Sequence, residues 1–309
     1  MRRRQLMQGA AALAAAGAVG AEEAAMPQVS AGRLERLVLE DARLGERPVD
    51  VWLPPGYRAD RPHAVLYMHD GQMLFDARTT WNRQAWAVDA VAAPLIAEGT
   101  LRDFIVVGLH NHAGQRHAEF FPQACWPAVE QTAAGQRYLA GQLKRPPLSD
   151  AYLHSLVRVL KPRIDARYAT DPRPASTFLM GSSMGGLISL YGLCEYPEVF
   201  GGAAALSTHW IGLYERNAEI PGALRAYLER KLPAPNSHRL YLDRGTTGLD
   251  ALYDEAQARV DALLAERGHR PPLTQSRVFE GADHTEQHWA RRLALPLRAL
   301  LAREEAAAA

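Results

Sequence analysis

Thr177-Phe178-Leu179-Met180-Gly181-Ser182-Ser183-Met184-Gly185-Gly186 decides the fold of this 309-residue chain. Its first four residues are β-branched or apolar and read as a strand, while the apolar run from Met184 to Tyr196 reads as a helix. The pentad Gly181-Ser182-Ser183-Met184-Gly185 therefore falls on a tight strand-to-helix turn. A serine at such a turn takes a strained backbone, and side chains two residues to either side must be nearly absent; Gly181 and Gly185 meet that demand. The helix start adds unsatisfied N–H groups beside Ser183 Oγ, which favours a developing oxyanion. Ser183 is the candidate nucleophile. Ser182 is the neighbouring alternative without the flanking glycines, and a pentad met by chance would be only a glycine-rich helix start.

A serine nucleophile on this turn takes its base from beyond the last parallel strand. Of the eleven histidines only His284 and His288 lie there. His284 stands in Glu280-Gly281-Ala282-Asp283-His284, just past the strand that ends Val278-Phe279, and His288 one turn deeper into the following helix. The acid should leave the preceding strand, Arg239-Leu240-Tyr241-Leu242. Asp250 is the first candidate, with Asp243 and Asp254 behind it; Asp250 could also be no more than a helix cap. The order Ser183, Asp250, His284 is that of the α/β hydrolases. For the oxyanion the loop His69-Asp70-Gly71-Gln72 offers the N–H of Gln72, to act with that of Met184.

The rest of the chain agrees with this frame. Candidate strands are 34–40, 48–53, 64–69, 103–109, 176–181, 202–206, 239–242 and 274–279, and candidate helices are 85–97, 149–168, 184–196, 222–231, 249–267 and 286–303. The alternation predicts an α/β-hydrolase fold, an eight-stranded, mostly parallel sheet with helices on both faces, in one domain spanning 22–309. The first two strands, close together around Gly45, should form an antiparallel hairpin. Residues 110–147 lack periodicity and read as a long loop or small insertion.

Residues 1–21 have the layout of an export signal, with three arginines, a short Ala-, Leu- and Gly-rich run and small residues before Ala21. Arg3-Arg4-Gln5-Leu6-Met7-Gln8 resembles the twin-arginine motif, so a bacterial periplasmic or secreted location is expected. The apolar run is shorter than the ~20 residues of a bilayer span. Removing the signal leaves 32 basic against 34 acidic residues, a net charge of −2 that invites no nucleic acid. Cys125 and Cys194 do not make a disulfide framework and are expected to be buried thiols.

The residues resemble the esterase family of α/β hydrolases that includes esterase D, feruloyl esterases, enterochelin esterases and mycolyltransferases. The resemblance covers nearly the whole mature chain. It rests on Tyr67 to Gln72, Thr80-Trp81-Asn82 with Trp86 to Asp89, Arg116 to Pro122, Gly181 to Gly186, Leu206-Ser207-Thr208-His209-Trp210 and Gly281 to His284. The Trp, RxxE and STHW elements look closest to the siderophore-ester and carbohydrate-ester branch. One departure concerns the acid. Feruloyl-esterase-like members place it four residues after a glycine, here Gly245 to Asp250 is five, and some relatives manage with a Ser-His pair. Arg116 could pair with Glu119 or hold a substrate anion, and His209 and Trp210, with Trp81 and Trp126, could face an aryl or sugar ring.

These readings predict hydrolysis of a carboxylic ester, either a carbohydrate acyl or aryl ester or a siderophore-type ester, through an acyl-enzyme on Ser183. No cofactor or metal is called for, since the histidines and cysteines lack ligand spacing. Acyl transfer to an alcohol and non-catalytic ligand capture in the periplasm are the alternatives, and neither a nucleic-acid partner nor stable membrane insertion is expected.

Overall fold

A computed structural model describes residues 26–112 and 114–303; the expected export signal lies outside the described residues. Eight strands make one sheet: β1 (Arg33–Asp41), β2 (Gly45–Leu53), β3 (Ala64–His69), β4 (Phe104–Leu109), β5 (Thr177–Ser182), β6 (Gly202–Leu206), β7 (Arg239–Gly245) and β8 (Thr274–Phe279). Their order across the sheet is β1-β2-β4-β3-β5-β6-β7-β8. β1 and β2 form the expected hairpin, closed at Asp41 opposite Gly45, and β2 also runs antiparallel to β4. All pairings from β4 through β8 are parallel.

The four central strands, β3 to β6, are buried along their whole length. This is why they read as continuous apolar runs, because a parallel sheet covered on both faces has no solvent side. Alternate residues feed two cores. Val65, Tyr67 and Leu179 face one layer with Ile188, while Leu66, Met68 and Met180 face the other with Leu297 and Leu300. Each large apolar side chain so buried contributes roughly 1.5–3 kcal/mol against leaving it in water.

Several helices depart from the sequence expectation for local reasons. The run from Ser149 to Arg167 is continuous but widens into a π turn at Leu156–Leu160, just ahead of Pro162, whose missing N–H leaves a carbonyl one turn back without its helical donor. The C-terminal run splits into Glu286–Arg292 and Ala294–Leu301, and Pro296 accounts for the break in the same way. The expected helix 249–267 is a short 3₁₀ turn, Gly248–Leu252, followed by Asp254–Glu266, with Tyr253 at the joint. Residues 110–147 are a set of short helices that bury Phe120, Phe121, Val129, Tyr138 and Leu143 over one face of the sheet. Each is too short for its period to show in the sequence.

No helix among the described residues is long and apolar enough to cross a membrane. Cys125 and Cys194 are free and buried, and burial pushes the Cys125 thiol up to about 12.

Candidate active site

Ser183 closes the turn from β5 into the helix Met184–Glu195, with φ 57° and ψ −122°. A non-glycine residue held there stores on the order of 1–3 kcal/mol of strain, so the neighbours must fix it. They do so through the backbone: Ser183 N–H donates to the Leu206 carbonyl at 2.9 Å, and the Ser183 carbonyl accepts from Leu187 at 3.1 Å and His209 at 3.2 Å. Gly181 is needed because a Cβ there would stand 2.6 Å from the backbone of Gly185. The strain holds the Ser183 side chain at the carboxyl edge of the sheet.

His284 follows β8 on the loop that starts the helix Glu286–Arg292, and its Nδ1 lies 2.5 Å from Asp250 Oδ1. The imidazole is held edge-on between Tyr253 and Trp289, with ring centroids 5.7 Å and 5.0 Å away. Asp250 is wholly buried in the 3₁₀ turn after β7; its Oδ2 accepts from Ser207 Oγ at 2.6 Å and from Gly245 N–H at 2.5 Å. Burial pushes its carboxyl up, but the hydrogen bond and charge of His284, with those two donors, outweigh this and hold it below the usual range. Tyr253 packs edge-on against the imidazole and its hydroxyl lies 2.5 Å from His209 Nδ1, while the His209 backbone N–H donates to the Ser183 carbonyl at 3.2 Å.

The other two aspartates weighed for the acid are engaged elsewhere. Asp243 is buried against Arg292, which donates from Nε at 3.0 Å and Nη2 at 2.9 Å. Asp254 forms an exposed pair with Arg216 at 2.5 Å. His288 Nδ1 is occupied by Asp283 N–H at 3.2 Å and the Thr285 hydroxyl at 3.0 Å.

Across the turn from Ser183 lies the loop after β3. Asp70 takes the left-handed conformation, φ 58° and ψ 47°, and opens the 3₁₀ turn Gly71–Met73. Gly71 passes so close to β4 that a Cβ would lie 2.4 Å from the Gly108 carbonyl oxygen. Gln72 and Met184 both occupy first-turn positions, where backbone N–H groups have no intrahelical acceptor. Asp70 is clamped by Arg116 at 2.7 Å and 2.6 Å and by Asn111 at 2.5 Å, and Arg116 also reaches the Ser182 carbonyl at 3.4 Å. This clamp ties the loop to the serine turn.

Several expectations for the surroundings are corrected. Arg116 does not pair with Glu119, because Glu119 is buried against Arg47 of β2 at 2.8 Å and 2.9 Å while Arg116 takes Asp70. That same pair neutralises Arg116, which weakens it as a receptor for a substrate anion. Trp210 is 1% exposed and donates to Gln257 at 2.9 Å, so it belongs to the core rather than to an aromatic wall. Trp126 is likewise buried, edge-on against Phe121. His209 is buried beside Tyr253, at 2.5 Å from its hydroxyl. Trp81 is 84% exposed, next to Asn82, which bonds Glu286 at 2.8 Å near the His284 loop; Tyr214, also exposed, lies tilted with its ring 6.0 Å from that of His209.

Sequence reasoning missed Ser207, Asp70 and Tyr253. Ser207 has φ 45°, and nothing in its residue type announces this. Tyr253 was absorbed into the apolar face of a longer helix, although its position three residues after Asp250 put it near the acid.

A cavity of ≈ 860 Å³ lies away from this site, at the amino ends of β5 to β7, beside Arg102, Phe178, His238 and Arg239.

A sequence-family profile described as "Putative esterase" matches residues 43–300. The chain is 24% identical over 199 residues to the uncharacterized protein YbbA of Bacillus subtilis (strain 168), covering 62% of this chain and 70% of YbbA. Among solved structures it is similar to the ferulic acid esterase AmCE1/Fae1A of Anaeromyces mucronatus, with a TM-score of 0.60, 16% identity, 90% of this chain and 94% of that one covered. It is also similar to the enterobactin esterase FES of Shigella flexneri, with a TM-score of 0.58, 18% identity and 89% of this chain covered, and it spans 60% of that longer protein.

Proposed function

Because the chain belongs to the esterase family and is a carboxylic ester hydrolase, we propose that it works through an acyl-enzyme on Ser183, with His284 as general base and Asp250 as its orienting acid. The observation that carries this reading is the strained Ser183 at the turn after β5 together with the 2.5 Å contact between His284 Nδ1 and the buried Asp250 carboxylate.

In the first step His284 Nε2 takes the Ser183 proton as Oγ bonds to the ester carbonyl carbon. The N–H groups of Met184 and Gln72 receive the oxyanion, and His284 returns the proton to the departing alcohol. Water then repeats the sequence and releases the acid. Asp250 holds the Nδ1–H tautomer and stabilises the imidazolium, and its lowered carboxyl pKa suits that role.

For the substrate, the exposed rings of Trp81 and Tyr214 favour an aryl or carbohydrate ester over a small aliphatic one. The ferulic acid and enterobactin esterases are the structural neighbours whose names fit this class. The signal-like layout of residues 1–21 supports a periplasmic or secreted location for the mature enzyme.

A fluorophosphonate should label Ser183, and Ser183→Ala should remove both labelling and hydrolysis, with a loss on the order of 10⁴-fold or more in kcat and an unchanged thermal midpoint. Activity within tenfold of wild type would place the nucleophile elsewhere. Rates over acetyl, feruloyl and catecholate-ester substrates, with and without an added alcohol, test the substrate class and hydrolysis against transfer. Fusion of residues 1–25 to a reporter, with Arg3→Lys and Arg4→Lys as controls, tests export.

A further inference from the structure

The two N–H groups assigned to the oxyanion come from different segments, Gln72 from the loop after β3 and Met184 from the helix after β5. Their spacing must be fixed before charge develops, since a misplacement of about 1 Å can cost roughly 10²-fold in rate. The loop is too short to fix itself, being a single 3₁₀ turn, Gly71–Met73. Asp70 stands where the two segments meet. Its carbonyl accepts from Met73 N–H at 2.8 Å and so closes the turn that carries Gln72. Its carboxylate lies against the first turn of the serine's helix, where a Cβ on Gly185 would stand 3.2 Å from Oδ2.

The same carboxylate would oppose a nearby oxyanion if its charge were bare, because like charges in a buried site repel. Arg116, at the start of the short helix Arg116–Phe120, cancels it with two parallel donors, Nε to Oδ1 at 2.7 Å and Nη2 to Oδ2 at 2.6 Å. Nη2 also reaches the Ser182 carbonyl at 3.4 Å, on the serine turn itself. Asn111 grips the loop twice: its side-chain Nδ2 donates to Asp70 Oδ1 at 2.5 Å, and its backbone N–H donates to Gln72 Oε1 at 3.2 Å. Burial pushes the Asp70 carboxyl up, but the charge and hydrogen bonds of Arg116 outweigh this and hold it below the usual range, so the pair is ionised at working pH.

We propose that Asp70 is the positioning residue of the oxyanion hole, setting Gln72 N–H against Met184 N–H, and that Arg116 aims its carboxylate and cancels its charge. This rests on Ser183 being the nucleophile and those two N–H groups the donors. Asp70 transfers no proton and acts only through the backbone that follows it. A substrate carbonyl carries little charge when it binds, whereas the tetrahedral intermediate places a full negative charge on that oxygen. A loosened clamp therefore lowers kcat and leaves KM nearly unchanged. A side chain that held the substrate itself would show the reverse, a raised KM at constant kcat.

The test is steady-state hydrolysis of 4-nitrophenyl acetate by the purified enzyme, with active serines counted by exhaustive fluorophosphonate labelling. Inhibition by phenylboronic acid, whose serine adduct is tetrahedral and anionic, is measured alongside. Arg116→Met should lower kcat per labelled serine by about 10²-fold with KM within about threefold, and weaken phenylboronic acid by a comparable factor. Arg116→Lys, which keeps the charge and one donor, should recover about tenfold of that loss. Asn111→Ala removes only the side-chain contact to Asp70 Oδ1 and should show the same split at about tenfold, so it carries the test if Arg116→Met does not fold. A kcat per labelled serine within about threefold of wild type in the folded variants would overturn the proposal and leave the clamp as scaffold alone. So would a raised KM at unchanged kcat, which would make Arg116 a substrate contact. No labelling of the unmodified protein would overturn the serine reading and this one together.

Discussion

Asp243 and Asp250 lie on either side of the turn that leaves β7, both wholly buried and both bonded to Ser207, yet they face different partners. Asp243 is closed off by the two-pronged contact of Arg292 and by the Tyr241 hydroxyl at 3.1 Å. Asp250 turns Oδ1 outward to His284, whose ring is 14% exposed at the carboxyl edge of the sheet. Burial pushes both carboxyls up. At Asp250 the hydrogen-bonding partners prevail and the group lies below the usual range, whereas at Asp243 burial prevails over Arg292 and the group lies above it. An arginine keeps its proton at any working pH, so Asp243 belongs to a fixed brace, while an imidazole can gain and lose one, so Asp250 serves a moving charge. The partner distinguishes a carboxylate that can take part in chemistry from one that holds the scaffold.

The contrast is broken most directly by paired substitutions. Asp250→Asn should lower kcat by about 10⁴-fold because the amide favours the wrong imidazole tautomer. Asp243→Asn leaves Arg292 buried without its counter-charge and should cost about 3–5 kcal/mol in urea unfolding, while kcat of the folded fraction stays within about tenfold of wild type. If Asp243→Asn instead loses activity at unchanged stability, the two roles are exchanged. A mild effect of Asp250→Asn would leave a Ser-His pair.

Ser207→Ala probes the hydroxyl that links the two regions, since Ser207 Oγ donates to Asp250 and accepts from Trp289 and Arg292, each at 3.0 Å. A stability loss of about 1–3 kcal/mol is expected, with a several-fold fall in kcat as Asp250 loses one of its donors. The smallest effect is in pH dependence. Because the folded pKa of Asp250 is lowered, its stabilising contribution is complete above the usual carboxylate range and is lost as pH falls through the folded value. The difference in unfolding free energy between wild type and Asp250→Asn should therefore stay constant near neutrality and narrow only on the acid side; a gap that shrinks above pH ~6 would contradict the lowered value.

All eight strands were legible, β3 to β6 because buried parallel strands leave unbroken apolar runs and the outer ones from shorter runs between turn residues. The serine turn was legible because its steric demand leaves glycines in the sequence. His284 emerged from position alone, after β8, but the choice among Asp243, Asp250 and Asp254 needed their partners, which arrive from distant segments. Arg292, for example, reaches Asp243 from the C-terminal helix. The pairing expected between Arg116 and Glu119 failed for the same reason, as Arg47 enters from β2. Tyr253 was hidden by a periodicity that runs on through the break at its own position, and Trp210 looked like a binding surface because burial is a property of the packed chain rather than of the residue.

The two ends of the strand order have a consequence of their own. Among the described residues β1 and β8 each have a single strand neighbour, which leaves backbone groups at both edges for pairing with another molecule. β1 carries Arg33, Glu35, Arg36, Glu40 and Asp41, and β8 carries Gln275 and Arg277, around the exposed Val38 and Val278. A foreign strand docking there would have to strip water from those charges, a barrier that guards against edge-to-edge aggregation. Among the described residues the sheet thus ends in charged strands that disfavour a ninth strand borrowed from a neighbour.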